Sequence, residues 1–327
     1  MNNRQRPGSP IIPRNKADPT QSYRPVNRMF RDIENRYYQI KLALKQLLDA
    51  YLVGRERSGN SLYGYILARE GSKPDTLYQV NAGAFIYDMS PQQLSDLLLR
   101  IETILDDYLL EGGSNNLWAL QYVSDEYQRG TLQAFTNLSA QSAIYEQSTT
   151  LQQLLSSPAY QNQVAAAYIS TYSEWRGITD AARADLSNIV ADAIGRGVSP
   201  RETASVISKR LDVSMSRAKT IAQTEQVGAL RQAQRNEVDW AKERLGLNTA
   251  ILWISALKPT TRAAHGARHG KTYTTDEVAE FYSKDGNSYN CYCANIPCLL
   301  DDEGKLYNEG LAEKLSKERS NWKSAEK

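Results

Sequence analysis

The chain has 327 residues, 41% hydrophobic content and a net charge of +2, from 39 basic and 37 acidic side chains. That length suits two hydrophobic cores better than one, and the near-neutral charge does not indicate a general nucleic-acid-binding protein. No apolar run approaches the roughly eighteen residues of a membrane-spanning helix, and residues 1–13 are too polar for a signal peptide. We therefore expect no membrane partner and synthesis in a cytoplasm.

Residues 1–31 are predicted to form an extended basic arm. One acid, Asp18, stands among seven basic residues: Arg4, Arg6, Arg14, Lys16, Arg24, Arg28 and Arg31. Five prolines disfavour a regular helix there. Two interpretations stay open: the arm docks on an acidic surface, either a partner protein or the phosphates of genomic DNA, or it is a solvated tail.

Residues 32–160 are predicted to be a mainly helical domain. Apolar residues recur every three or four positions over 26–53, which indicates an amphipathic helix that ends at Gly54. Glycines and β-formers alternate over 59–88, which predicts an inserted hairpin or loop. Ser90 and Pro91 are a typical N-cap and first-turn pair for the next helix. Further helical patterns run from residue 117 to about residue 172.

The middle of the chain predicts three successive helices. Thr179 and Asp180 are candidate caps for the first helix, which the glycines near residue 196 would end. Ser199 and Glu202 have the spacing of a capping box for the second, and Ser214 would open the third. The exposed face of the third helix mixes charges, so a DNA-binding helix-turn-helix is not favoured.

Beyond Trp240 the pattern predicts a small α+β module. Residues 249–254 read as a strand, 272–274 as a strand that pairs with it, and 291–293 as lying near another extended segment. The last segment, 306–327, is a charged tail with a short exposed helix. The expected fold class is therefore mainly α, with helical N-terminal and middle regions before an α+β module that carries a candidate zinc-binding loop.

All of the chain's histidines and cysteines fall within this module. His265 and His269 have H-x-x-x-H spacing, and Cys291 and Cys293 could complete a tetrahedral zinc site, with Cys298 as an alternative ligand. The alternative is ordinary packing of reduced thiols beside two polar histidines. A disulfide is less favoured, because the cysteine number is odd and nothing marks the chain as secreted.

The motif does not predict a zinc protease. Those enzymes need H-E-x-x-H, with a glutamate as general base, whereas Gly266 follows His265 here. Four protein ligands would also leave no position for a substrate, so a structural metal is expected.

Several ordered motifs resemble the phage Mu F-like head morphogenesis proteins, also called minor head or minor capsid proteins. They span about the second half of the chain, and we place the domain at 161–305. The motifs are Gly177-Ile178-Thr179-Asp180, Gly197-Val198-Ser199-Pro200, Arg217-Ala218-Lys219-Thr220-Ile221-Ala222-Gln223-Thr224-Glu225, Thr261-Arg262-Ala263-Ala264-His265, His269-Gly270-Lys271-Thr272-Tyr273 and Asn290-Cys291-Tyr292-Cys293. Tyr292 departs from the arginine usual in the last motif.

The resemblance implies a non-enzymatic virion protein of a tailed bacteriophage. Such a protein acts in head assembly, DNA packaging or DNA delivery (ejection) near the portal vertex, with portal, major capsid or scaffolding proteins as partners. It would lie in the virion head after assembly in the host cytoplasm. The alternative is a metal-dependent enzyme, a nuclease or effector delivered with the genome, that uses the region of His265 and His269; Asp276, Glu277 and Glu280 keep it open.

Overall fold

The computed structural model describes residues 8–56 and 85–325. The structure is 69% helical with a small sheet module near the C-terminus, which confirms the expected fold class. The helices are α1 Tyr23–Tyr51, α2 Pro91–Leu109, α3 Gly113–Asn116, α4 Leu120–Gln141, α5 Ala143–Ser148, α6 Leu151–Leu155, α7 Pro158–Arg196, α8 Pro200–Leu245, α9 Ala263–Gly266, α10 Thr275–Ser283 and α11 Glu309–Ala325. The strands are β1 Gly54–Glu56, β2 Phe85–Tyr87, β3 Thr249–Ile254, β4 Thr272–Tyr273 and β5 Ala294–Leu299.

The chain forms two compact units from discontinuous segments. Unit 1 comprises Met1–Phe30, Ala119–Tyr172 and Thr220–Lys327, and unit 2 comprises Arg31–Trp118 and Ser173–Lys219. Three long helices, α1, α7 and α8, contribute residues to both units. In the part of the chain that the structure describes, no helix is long and apolar enough to cross a membrane.

Unit 2 has a helical core with one short strand pair. The predicted N-cap of α2 is confirmed, since Ser90 and Gln93 form a reciprocal capping box and Pro91 begins the helix. Trp118 and Trp175 pack edge to face at 4.7 Å between ring centroids. Strands β1 and β2 pair antiparallel at the two ends of the predicted 59–88 insertion, most of which lies outside the described residues.

Helices α7 and α8 are each continuous where the sequence suggested breaks. The prediction that Thr179 caps a new helix is wrong: its hydroxyl donates to the Trp175 carbonyl one turn earlier, inside α7. The predicted start of a third helix at Ser214 is also wrong, because α8 passes through it without interruption. Serine and threonine bond to their own helix as readily as they cap one, so their presence alone does not mark a boundary.

The sheet of unit 1 is a three-stranded antiparallel layer with the order β4-β3-β5. Every residue of β3 and β5 is buried, so both faces of the sheet are covered. Because side chains alternate along a strand, Leu252 and Ile254 of β3 pack towards Leu315 of α11, while Ile251 and Trp253 face the other way. The second face packs against α8, α10 and the cysteine loop, residues 284–293.

The prediction of an extended arm over residues 1–31 is wrong for its last part, because α1 begins at Tyr23 and Pro25 stands in its first turn, where proline is tolerated. The described residues before α1, 8–22, lie against unit 1. The Ile11 amide donates to Asn137 Oδ1 at 2.7 Å, and Lys16 pairs with Glu318 at 2.8 Å. The buried Asp18 carboxylate accepts hydrogen bonds from the amides of Ser22 and Tyr23, at the start of α1. These residues therefore form an ordered segment of the fold.

The C-terminal segment also packs on unit 1. Helix α11 is longer than the predicted exposed helix, and its Leu315 and Trp322 are buried. The Trp322 ring packs over Gly266, and its indole nitrogen donates to the Lys258 carbonyl at 3.2 Å. A side chain at Gly266 would overlap that ring. The helix thus covers the segment that carries His265.

Candidate metal centre

Three of the five candidate ligands lie together. His265, Cys291 and Cys293 place one ligand atom each within 4.8 Å of one another, and all three side chains are buried. The Nδ1 atom of His265 lies 3.3 Å from the Cys291 sulfur and 3.6 Å from the Cys293 sulfur. The expected grouping of a histidine turn with the C-x-C pair is therefore present in the fold.

The imidazole of His265 is held in the orientation of a ligand. Its Nε2 atom lies 3.3 Å from Asn287 Oδ1, while the Asn287 amide nitrogen donates to the Phe281 carbonyl at 3.0 Å. An amide oxygen only accepts, so Nε2 donates to Asn287, and Nδ1 is the ring nitrogen that faces the sulfurs. A partner on the outer nitrogen is the usual way in which proteins orient a metal-binding histidine.

Two arginines shape the cysteine loop through its backbone carbonyls. Arg262, just before α9, donates to the carbonyls of Gly286, Asn287 and Tyr289 at 2.9–3.0 Å. This links the histidine segment to the loop that carries the cysteines. Asn290 adopts a left-handed conformation, φ 52°, immediately before Cys291. The loop therefore turns sharply where the C-x-C pair begins.

Arg231 of α8 is the second arginine, and it is 2% exposed. It donates to the carbonyls of Cys293 at 3.0 Å and Cys291 at 2.7 Å, and it contacts the Cys291 sulfur at 3.2 Å. Its guanidinium lies 4.4 Å from the Tyr282 ring centroid. Among the described residues no carboxylate lies within 4.0 Å of it, so this buried charge contacts the two cysteine carbonyls and the Cys291 sulfur instead.

The pKa values of the two thiols are shifted in opposite directions. Burial opposes ionisation of Cys291, but the hydrogen bond from Cys293, the Arg231 charge and His265 together lower the pKa of Cys291 well below its usual value. The hydrogen bond with Cys291, together with burial, raises the pKa of Cys293 well above its usual value. Metal ligation requires both sulfurs as thiolates, so binding of a metal would release the protons that they carry.

The distances fit a tetrahedral zinc ion. Bonds of about 2.3 Å to sulfur and about 2.0–2.1 Å to nitrogen separate those two atoms by about 3.6 Å. The observed separations of 3.3 and 3.6 Å are close to that value. In addition, the Cys293 amide points to the Cys291 sulfur at 3.5 Å. Both nitrogen–sulfur separations are therefore compatible with one metal ion bound by the three side chains.

His269 lies apart from the cluster. Its Nδ1 atom accepts from the Ser255 amide at 3.1 Å, and its Nε2 atom lies 3.2 Å from Glu318 of α11. The H-x-x-x-H spacing places both rings on one face only within a continuous helix. Here α9 ends at Gly266, and Gly270 has φ +71°, so the chain turns between the two histidines.

Cys298 also lies apart from the cluster, for a reason of strand geometry. It belongs to β5, whose alternate residues Ala294, Ile296 and Cys298 face α11, whereas Cys291 and Cys293 pack on the opposite face of the sheet. Its thiol contacts the Ala250 carbonyl at 3.3 Å, and burial raises its pKa to about 12. All three cysteines are free thiols.

The sequence predictions did not include Arg231 or Asn287. Arg231 lies on the buried face of α8 together with Val227, Leu230 and Ala233. A charged residue among apolar residues on one helical face was the sequence feature that could have identified it. Asn287 lies in a polar turn that also contains Asn290, where its sequence context does not distinguish it.

Comparison with protein families gives a match to Phage Mu protein F like protein over residues 184–296. The matched region begins within α7, includes α8, β3, β4 and α10, and ends inside β5. It contains the three clustered ligands, as well as Arg231 and Asn287. No curated protein and no solved structure matched the chain. The resemblance seen in the sequence is thus confirmed: this chain carries a Phage Mu protein F like domain in its second half.

Proposed function

We propose that this chain is a minor head protein of a tailed bacteriophage, acting in head assembly, DNA packaging or DNA delivery at or near the portal vertex. The match over residues 184–296 carries this proposal, since the matched family points to head morphogenesis. Portal, major capsid and scaffolding proteins are the proposed partners, and the virion head is the proposed location. The proposal places the protein in few copies at one vertex.

The test is a nonsense mutation of the gene in the phage that carries it, complemented in trans. We expect fewer DNA-filled heads by electron microscopy, and the protein in purified virions by mass spectrometry, cross-linked to portal peptides. Normal particles without the protein, at wild-type yield, would contradict the proposal. A complementing Val213→Ala variant, altered only at an exposed apolar side chain, is the matched control.

We propose that zinc, or a similar metal, is held by His265, Cys291 and Cys293 and stabilises the polar cysteine loop. The three-way clustering and the fit of the nitrogen–sulfur distances support this. Bound metal would hold together a loop that has few apolar residues of its own. Elemental analysis of the purified protein is expected to give close to one metal per chain, and alanine at any of the three positions should remove it.

Cys298→Ala and His269→Gln are the controls within the same motif. Both residues have other partners in the fold, so both variants should keep the metal. Loss of metal in either control would instead favour the wider ligand set suggested by the sequence. No metal in the wild-type protein would leave the cluster as packed thiols.

The proposed role is not catalytic, although the sequence left an enzyme open. The acids near the histidines have other positions: Glu277 closes the capping box of α10 with Thr274, and Glu280 is exposed and pairs with Lys284. A metal-dependent nuclease would need a base beside the metal. Cleavage of DNA by the zinc-loaded protein, abolished by His265→Ala, would support the enzyme instead.

Direct DNA contact is a further part of the proposal. Arg24 and Arg28 are exposed one turn apart on α1, and Arg28 also pairs with Asp125 at 3.2 Å, so phosphate would compete with that carboxylate. Arg24→Gln with Arg28→Gln should weaken binding to duplex DNA and flatten its dependence on salt. Binding that does not respond to salt would point to a protein partner.

A further inference from the structure

The three clustered side chains line a cavity, and that cavity is rich in cations and hydroxyl groups. It has a volume of about 150 Å³ and includes His265, Cys291 and Cys293 together with Tyr23, Lys258 and Arg262 in its lining. A water molecule occupies about 30 Å³ in the liquid, so a carboxylate or phosphate group fits. The described lining contains no aspartate or glutamate.

The groups around this site carry an excess of positive charge: one buried carboxylate, Asp18, lies next to the lining at Tyr23 and acts on Tyr292, against three basic side chains. A zinc ion with two thiolates and a neutral imidazole has no net charge. Arg231 lies behind the cysteines, and Lys258 and Arg262 line the cavity in front of them. Among the described residues, neither of these last two has a carboxylate within 4.0 Å. Three cations therefore surround a neutral metal centre.

Lys258 is the cation that can contact a guest directly. Its ammonium donates to the Tyr23 hydroxyl and lies 4.9 Å from that ring's centroid, which leaves two of its three N–H donors without a protein acceptor among these contacts. Arg262, by contrast, donates to three backbone carbonyls of the cysteine loop. Arg262 therefore contributes positive charge and holds the cysteine loop, whereas Lys258 has hydrogen-bond donors for a bound anion.

We infer that the metal centre takes a small oxyanion, a carboxylate or phosphate group, as its fourth ligand from this cavity. The inference rests on the metal site proposed above. Three side chains supply three of the four ligands that tetrahedral zinc requires, and all three line a cavity that Lys258 also lines. The oxyanion would bind the metal through one oxygen and accept hydrogen bonds from Lys258 through another. The site would then bind an anionic group, unlike a structural metal site with four protein ligands.

The test uses the full chain loaded with Co²⁺ in place of zinc. Charge-transfer absorption from thiolate to cobalt reports the metal site itself, and the visible d–d bands report the ligands around the ion. Sodium acetate and sodium phosphate are titrated separately, at constant ionic strength maintained with perchlorate. We expect a saturable change in the d–d bands with at least one of the two anions, while the thiolate band persists. The anion that binds more tightly identifies the source of the oxyanion.

Lys258→Met should weaken that anion roughly tenfold, because it removes a charge-assisted hydrogen bond. Lys258→Arg should keep most of the affinity. Lys271→Met, at an exposed lysine just before β4, should leave it unchanged and serves as the matched control. Equal affinities for Lys258→Met and the wild-type protein would overturn the role of this lysine and with it the cavity as the binding site.

Two failures are distinguishable. If cobalt binds with a thiolate band but neither anion alters the d–d bands, a protein group or water holds the fourth position, and this inference is wrong while the metal site stands. If no thiolate band appears, the metal site fails and the oxyanion site with it. Circular dichroism of each variant confirms that the fold is intact before either conclusion is drawn.

Discussion

His269 shows how a residue with metal-ligand chemistry can serve the fold instead. Burial lowers its pKa below the usual 6.5 in spite of the nearby Glu318 carboxylate, so the folded protein takes up a proton less readily than the unfolded chain. Protonation therefore favours the unfolded state, and the free energy of unfolding falls as the pH drops below about 6.5 towards the folded pKa. Above that window the histidine is neutral in both states and contributes no pH dependence.

We predict that His269→Gln flattens this pH dependence. Between pH 7 and pH 5 the wild-type protein should lose at most about 1.4 kcal/mol per pH unit through this residue, and the variant should lose less. Urea unfolding followed by circular dichroism, at half-unit pH steps, gives both curves. Glu318 also has a lowered pKa, but its own loss begins below 4.5, outside the window. Parallel curves for the two proteins would show that His269 does not titrate on unfolding.

Gly266 allows the Trp322 ring to pack closely because glycine has no side chain. A Cβ atom there would lie 2.2 Å from the Trp322 ring, which must then move. Gly266→Ala is expected to cost about 1–3 kcal/mol of stability, the range of overpacked cores. The control is Gly228→Ala, a helical glycine of the same unit with nothing within 4 Å of its added methyl; it should gain about 0.5–1 kcal/mol. Chemical denaturation of both measures the difference, and equal stabilities would contradict the contact.

The site was accessible to sequence reasoning only in part. The concentration of histidine and cysteine in one segment indicated His265, Cys291 and Cys293 as partners, because few other roles collect these residue types together. Which of five candidates would cluster depended on features that spacing does not encode: the end of α9 after His265 and the face of β5 that Cys298 occupies. Backbone direction, not residue type, separates them.

At the scale of single elements, continuity was the weakest part of the sequence predictions. The Ser90 cap was identifiable because Pro91 follows it, and in the structure Gln93 completes the capping box. Thr179 and Ser214 are also residues with capping hydroxyl groups, but no proline follows either of them. Both lie inside helices that continue through them. The strands were easier, since β3 is an uninterrupted apolar run and both of its partners have bounding turns.

Helix α8 offers a direct test of that continuity. If a helix began near Ser214, proline at Val213 would stand before or at its first turn and would be tolerated. In one continuous helix it removes a hydrogen bond and clashes with the preceding turn, so Val213→Pro should cost about 3 kcal/mol or more. Val213→Ala, at the same exposed position, should change stability by less than about 0.5 kcal/mol. Similar thermal midpoints for the two variants would favour two helices.

At the scale of the whole molecule, the metal centre belongs to one unit only. Its three side chains, Arg231 and the covering helix α11 all lie in unit 1. Unit 2 has its own core around Trp118 and Trp175, and none of the candidate ligands is part of it. Removal of a metal should therefore affect the two units unequally.

Hydrogen exchange can measure the different effects of metal removal on the two units. Addition of a chelator to the metal-loaded protein should increase amide exchange in peptides from 262–299 and leave peptides from 91–118 unchanged, because only the first set is held by the centre. The His265→Ala variant should respond to the chelator in neither region, which controls for effects of the chelator itself. A uniform increase across both regions would mean that the two units unfold as one.

The discontinuous make-up of unit 1 also sets an order of events at the ribosome. Unit 2 has all of its residues once Lys219 has been added, whereas unit 1 needs α11, about 100 residues later. At 5–20 residues per second that is a delay of roughly 5–20 s, during which residues 8–30 and α4 have been made but lack the segments they pack against. Nascent chains stalled between residues 220 and 300 would then present the apolar side of α4 to chaperones. Newly made protein would be most exposed to aggregation and proteolysis in that interval.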